Sequence, residues 1–401
     1  MRPWTNATPT PTGAGPDDGP ADSGVADNGV ADEGAARPGR LARSLSPAGP
    51  SPAARSLPPE LRRPSELSRP PTASLGGVLR PEEGLRHFAL GRPEAHPDLG
   101  PWVERYWTVR WDLPAGSSYL SSVLSHPAVH LSVESGAGPR HGYPMPATLV
   151  HGVVTKRFDI RLHGEGRVFG VKFRPGGFAA FAGAGVAAFT DRAVPLAEAL
   201  AAGIGPDAED DDDEGDPGWT GAGNGTATGA RAGAGNGPDG LVGGVPAALA
   251  RDADDLQAAI LAAPADDVRV ALMDEFLLAR RPAPDPRYER VLAIVADMLA
   301  DRELTAVQAV AERHDIEQRS LQRLFRRYVG VSPKWVLRRF RLHDAQAALD
   351  AAAAAGDPAG LNLAELAASL GWFDQAHFNR DFREVVGVPP GAYAASAGPR
   401  G

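Results

Sequence analysis

Arg319, Gln322, Arg323 and Arg326 are spaced i, i+3, i+4, i+7 along the chain. On a helix that spacing gathers all four on one face, while Leu321, Leu324 and Phe325 fall on the other. The polar types match the edges of base pairs: Arg pairs with guanine N7 and O6, Gln with adenine N6 and N7. A second set lies near the C-terminus in GWFDQAHFNRDFREVVGVPPGAYA, Gly371 to Ala394, where Gln375 and Asn379 are four apart with Arg380 alongside. There Phe378 and Phe382 supply the apolar side. The chemistry these residues suggest is hydrogen-bond reading of DNA.

The charge distribution points the same way. From Gln318 to Arg341 the basic residues are Arg319, Arg323, Arg326, Arg327, Lys334, Arg338, Arg339 and Arg341, with no acidic residue among them. The chain as a whole has net charge −9, so this is a local positive surface, of the kind duplex phosphates attract. Arg319, Gln322, Arg323, Gln375, Asn379 and Arg380 are therefore expected to read bases, and Arg326, Arg327, Lys334, Arg338 and Arg339 to hold phosphates. Ordinary solvated helix faces use the same residue types. Two such helices beside an uninterrupted basic block argue against that plainer explanation.

Other chemistries fare less well. The chain has no cysteine, which excludes disulfides, thiol nucleophiles and iron–sulfur sites. His126, His130, His141 and His151 lie in one region, where a cupin-like barrel could gather imidazoles around a metal. No tight H-x-H pair with a downstream Glu accompanies them, so neither a metal nor another cofactor is expected. A metal-dependent cupin-like enzyme, or a ligand-binding protein acting through this region, is the alternative reading. No apolar run reaches the ~18 residues of a membrane span, and the start MRPWTNATPT lacks the pattern of a signal peptide. A cytoplasmic protein with no membrane partner is expected.

The elements that must position these residues follow from periodicity. Residues 1–75 are rich in Pro, Gly, Ala, Ser and Asp and are expected to be disordered. So is 204–245, an acidic run from Glu209 to Glu214 followed by a Gly-rich tract. Between them, 76–203 alternates with period two: Trp107, Val109 and Trp111 against Tyr106, Thr108 and Arg110, then Val129, Leu131 and Val133, and Phe158, Ile160 and Leu162. This predicts a mainly antiparallel β domain. Arg174-Pro175-Gly176-Gly177 reads as a turn rather than an anion site. Residues 246–282 predict a helical connector, and 283–401 an all-α domain. Thr305 is expected to open one short helix through a capping box with Gln308, and Asn362 to open another, which Gly371 ends. Each short helix precedes one polar helix, giving two helix-turn-helix units joined by a long helix from Pro333 to about Ala354. The fold class expected is α+β, with a β domain before a helical one.

Ser320-Leu321-Gln322-Arg323-Leu324-Phe325, Val329-Gly330-Val331-Ser332-Pro333, Arg341-Leu342 with Ala345, and Gly371 through Tyr393 together resemble the AraC/XylS family of transcriptional regulators. The likeness spans about 286–395. It implies a seven-helix DNA-binding domain whose two recognition helices enter successive major grooves. Asp315 stands where that family often has Gly, Ala376 where many members have a polar residue, and Glu317 and Phe373 where a Ser cap is frequent. The β region is similar to N-terminal domains of some bacterial members through Trp107, Trp111 and the segment Phe173–Gly177. That implies a sensor or dimerisation role. The partners expected are double-stranded DNA, RNA polymerase, a small-molecule effector and a second copy of the chain. Because the family's DNA-repair members transfer alkyl groups to cysteine, that chemistry is excluded here.

Overall fold

The computed structural model describes residues 77–203, 241–242, 245–357 and 359–397. The disordered N-terminus expected for 1–75, and nearly all of the acidic linker, lie outside them. The linker's last residues pair: Leu241–Val242 (β9) runs antiparallel to Val245–Pro246 (β10).

After a short helix, Pro81–Gly84 (α1), eight strands follow: Ala89–Gly91 (β1), Val103–Asp112 (β2), Ser118–Leu124 (β3), His130–Gly136 (β4), Ala147–His151 (β5), Arg157–His163 (β6), Glu165–Phe173 (β7) and Ala193–Pro195 (β8). They form a six-stranded sheet of order β1-β2-β7-β4-β5-β8 and a two-stranded sheet, β3-β6. Every pairing is antiparallel, as the alternating pattern predicts. The pleat sorts the side chains. On β2, Tyr106, Thr108 and Arg110 face the helical connector, where they meet Asp274 and Asp266. Trp107, Val109 and Trp111 face the other way, toward β3 and β6. Two glycines on β7 permit this. Trp107 and Trp111 pair with Gly170 and Gly166 across the ladder, and a Cβ on either glycine would fall 2.1–2.2 Å from the indole above it.

Gly177–Ala182 (α2) follows the Arg174–Gly177 turn, and Leu196–Ala201 (α3) precedes the linker. In that turn Gly176 takes φ 83°, and Arg174 donates to the Gly100 carbonyl, so its guanidinium is held within the fold. The connector comprises Ala247–Ala262 (α4) and Asp266–Leu278 (α5). Seven helices complete the described residues: Pro286–Ala300 (α6), Val307–Arg313 (α7), Gln318–Tyr328 (α8), Pro333–Ala354 (α9), Leu363–Ser369 (α10), Gln375–Val386 (α11) and Pro390–Ala397 (α12). Their starts are chemically legible. The side chains of Asp285, Ser332, Asn362 and Asp374 each accept from backbone amides of the turn they open. The capping box expected at Thr305 does not form. Ala306 is the cap residue of α7, no side chain caps it, and Gln308 donates forward to Glu312. Asp315 and Gly371 hold φ of 45° and 79° in the two short turns. Asp adopts that left-handed geometry at a cost that Gly avoids.

One apolar core runs from Leu99, Val129, Leu131 and Val133 of the β domain through α2, α4 and α6 to Leu321, Phe325, Val336 and Phe340. A second cluster joins Leu79 and Leu124 to α9, α10, α11 and Tyr393. The β domain and both helix-turn-helix units therefore share their cores. No helix among the described residues is long and apolar enough to cross a membrane.

Candidate functional site

Helix α8 buries Leu321, Phe325 and Tyr328 and leaves Arg319, Gln322, Arg323 and Arg326 exposed. Of these four, only Arg323 has a side-chain partner among the described residues, the Ser320 hydroxyl at 3.2 Å. Four arginines with no acidic residue give this helix a uniformly positive face. Lys334, at the start of α9, is also exposed.

Helix α11 is built differently. Phe378 and Phe382 are fully buried and pack edge-on to one another, with Trp372 against the first and Tyr393 against the second. Gln375 and Arg380 are exposed, and Asn379 is half-buried with its Oδ1 unpartnered among the described residues. Arg380 and Arg383 alternate with Asp381 and Glu384, so the helix carries little net charge. Phe373, just before the helix, is 94 % exposed. Its type alone gives no sign of this, because Phe378 and Phe382 nearby are core residues.

The basic block divides on folding, and two phosphate assignments need correcting. Arg339 is 1 % exposed, donates to the Thr155 carbonyl at 2.5 Å, and lies over the Trp335 ring at 4.4 Å. Burial pushes its guanidinium down to about 9. It joins α9 to the β domain and cannot reach a phosphate. Arg338 bonds Asp381 at 3.1 Å and Glu384 at 2.5 Å, so two carboxylates of α11 neutralise its charge. Arg341 likewise donates to the Gly371 carbonyl and lies over Trp372. Arg327 is half-buried, with its carbonyl accepting from the Val186 amide. The free basic surface lies on α8 and at Lys334.

A second site lies inside the β domain. A cavity of about 240 Å³ separates the two sheets. Trp107, Trp111, Phe88, Phe158, Ile160 and Val168 make its walls apolar, while Glu134, Arg140, His141, His151 and Lys172 bring charge and imidazole to it. The Trp107 indole N–H is buried and has no partner among the described residues. His141 and His151 converge on Glu134, whose carboxylate Oε1 lies 3.6 and 3.1 Å from their Nε2 atoms. Burial holds His151 below the ordinary histidine range, against the pull of Glu134. Burial alone would raise Glu134, but the hydrogen bonds from the two histidines outweigh it and hold the carboxyl well below the usual range. His130 faces Trp107 edge-on, and His126 stacks on His343 of α9, so neither joins the trio. Sequence reasoning finds the two histidines and misses Glu134. The available signal is alternation: His130, Ser132 and Glu134 oppose Leu131 and Val133 on β4.

Residues 310–396 match a family model described as a helix-turn-helix domain, and residues 92–195 one described as a domain of unknown function (DUF6597). Among solved structures, the chain is similar to the C-terminal domain of AraT, a response regulator from Geobacillus stearothermophilus. The identity is 20 %, the match covers 27 % of this chain and 88 % of that one, and the TM-score is 0.23. It is also similar to ToxT from Vibrio cholerae, at 8 % identity over 77 % of this chain and 98 % of that one, with a TM-score of 0.32. No curated protein matches significantly.

Proposed function

We propose that this chain, whose residues 310–396 are an AraC-type helix-turn-helix domain, is a transcriptional regulator that reads two successive major grooves and answers to a small molecule held in its β domain. The observation that carries the DNA reading is the exposed, acid-free face of α8 on a domain of this type. Arg319, Gln322 and Arg323 read bases from α8, and Gln375, Asn379 and Arg380 from α11. Arg326, Arg327 and Lys334 hold phosphates. Helix α9 has 22 residues, about 33 Å at 1.5 Å per residue. That length is close to the ~34 Å between successive grooves on one side of a duplex.

The cavity supports the sensor role through what it touches. Ser125 and His126 line it, and both meet His343 of α9, one by a hydrogen bond and the other by ring stacking. Gln346 of α9 donates to the Val78 carbonyl, beside the same cavity. A ligand that shifts these rim residues acts directly on the helix between the two units. We read the protein as a regulator rather than an enzyme, working in the cytoplasm with RNA polymerase and as a pair of chains on DNA.

A binding selection on randomised duplex DNA tests the proposal. The expected product is a motif with two information-rich blocks about one helical turn apart. Enrichment of no motif, or of a single block, would overturn the two-groove reading.

A further inference from the structure

Base reading makes no use of the Glu134, His141 and His151 cluster in the cavity wall. Glu134 comes from β4, His151 from β5, and His141 from the turn between Arg140 and Tyr143. One ligand atom from each lies within 4.8 Å of the other two. The two imidazoles approach the same carboxylate oxygen, at 3.1 and 3.6 Å, and the Ser132 hydroxyl approaches it as well, at 2.7 Å. Ligand atoms around a tetrahedral zinc with bonds of about 2.0–2.2 Å lie roughly 3.3–3.6 Å apart. The two carboxylate–imidazole separations, 3.1 and 3.6 Å, are close to that range, and small side-chain movements would bring all three ligand atoms onto one cation. The other carboxylate oxygen, Oε2, lies 3.6 Å from Arg140 Nε. A charged group behind a ligating carboxylate in this way orients it toward the metal.

The turn adds a separate observation. His141 and Gly142 are its two central residues, both at positive φ, 53° and 85°. Two-residue hairpin turns of this geometry favour Asn-Gly or Asp-Gly. A histidine accepts the strained first position here, and its ring is only 14 % exposed beside Glu134.

We infer that Glu134, His141 and His151 bind a divalent transition-metal ion of the zinc or iron(II) class, and that its open coordination position takes an oxygen donor from the cavity's small-molecule ligand. Two imidazoles and one carboxylate suit those metals, whereas calcium and magnesium prefer oxygen ligands throughout. The metal site stands without the sensor reading. The oxygen-donor half rests on that reading, because it requires the cavity to hold a ligand. The apolar walls then select a carboxylate or similar oxyanion on a small aromatic or aliphatic body.

The test uses the purified full chain, treated with a chelator and titrated with zinc. One zinc per chain is expected, undisturbed by excess magnesium or calcium. His141→Asn is the informative variant, since Asn suits the turn and the fold should survive while the ligand is lost. Its zinc affinity should drop by more than the roughly 10–100-fold typical when only a residue behind the ligands is changed. His151→Ala should behave alike, with far-UV circular dichroism checking its fold. Failure to bind zinc, or equal affinity in a folded His141→Asn chain, overturns the site. Cobalt(II) in place of zinc tests the second half: benzoate should perturb the visible cobalt bands. An unperturbed spectrum in a chain that binds cobalt overturns the oxygen-donor role and leaves the metal site standing.

Discussion

The imidazole of His126 lies flat on that of His343, with ring centroids 3.9 Å apart and planes within 19°. His126 belongs to the loop after β3 at the cavity rim, and His343 sits in the middle of α9. The His343 Nε2 meets the Ser125 carbonyl at 3.2 Å, which fixes its proton on that nitrogen. Two neutral rings can stack in this way, whereas two imidazolium ions would repel. The contact between the β domain and helix α9 is therefore tied to protonation.

The chain should lose stability on mild acidification. Burial first, then neighbouring charge, pushes His343 down to about 3 and His126 well below its ordinary value. Lys172, Arg105 and His130 surround His126, and Arg339 faces His343, so the neighbouring charges all disfavour protonation. In the unfolded chain both rings take protons near pH 6.5. Below that pH the unfolded state holds more protons than the folded one, so stability falls as pH falls. His343 alone should account for a loss of about 1–2 kcal/mol by pH 5. Denaturant midpoints at pH 7 and pH 5 measure this, and His343→Gln should narrow the difference. An unchanged difference in that variant assigns the effect to other groups.

Lys334 and Arg339 should separate cleanly on DNA. Lys334 is exposed and Arg339 is buried against Thr155. Lys334→Ala is expected to weaken all duplex sequences alike and to reduce the log–log salt slope by about 0.9. Arg339→Met should leave that slope unchanged, and its effect should appear in stability. Arg323→Ala, by contrast, should cost about 1–3 kcal/mol at one or two base positions and little elsewhere. Salt titrations on matched and mismatched duplexes distinguish the three. A uniform loss for Arg323→Ala would make it a phosphate contact.

Gly170→Ala tests what shapes the cavity wall. The added methyl would meet Trp107 Cε2 at 2.1 Å, so the indole must move. Overpacking of this kind typically costs about 1–3 kcal/mol. The cost should shrink when Trp107→Leu is combined with it. If Gly170→Ala is equally destabilising in both backgrounds, the backbone rather than the indole sets the limit.

The fate of the arginines marks where the sequence stops being legible. Helix α8 is readable because it has one apolar face and one polar face, and the exposed residues are the ones its periodicity predicts. Helix α9 is not, because protein surrounds most of it: Val78, Ser125 and Thr155 of the β domain on one side, Asp381 and Glu384 of α11 on another. Arg338, Arg339 and Arg341 look alike in the sequence, and tertiary contacts alone decide that they serve the fold. Glu134 is obscured for a related reason. Its partners lie across a strand pairing and around a hairpin turn, a spacing that no local motif contains. The cap at Asn362 is local and can be read. Thr305 shows that a cap residue followed by Gln at the right spacing is still only an offer, since the helix begins two residues later.

Phe373 should prove to be a specificity residue of the second unit. Exposing a whole phenyl ring to water is unfavourable by about 25 cal/mol per Å² of apolar surface, yet this one is 94 % exposed in the free chain. It immediately precedes Asp374, the cap of α11. The N-terminal end of a recognition helix is where base edges are contacted. An apolar ring there can pack on the C5-methyl group of thymine, a contact that no other normal base offers in the major groove. Phe373→Ala should therefore weaken binding on the preferred duplex, by at most about 3 kcal/mol, the scale of burying a whole Phe side chain. The loss should disappear when uracil replaces thymine at the contacted position, because the methyl is then already absent. Binding assays with thymine and uracil duplexes, each with native and Phe373→Ala chains, complete the cycle. A loss that is the same on both duplexes would place the ring against the sugar–phosphate backbone or in the fold of the turn, and the thymine assignment would be wrong.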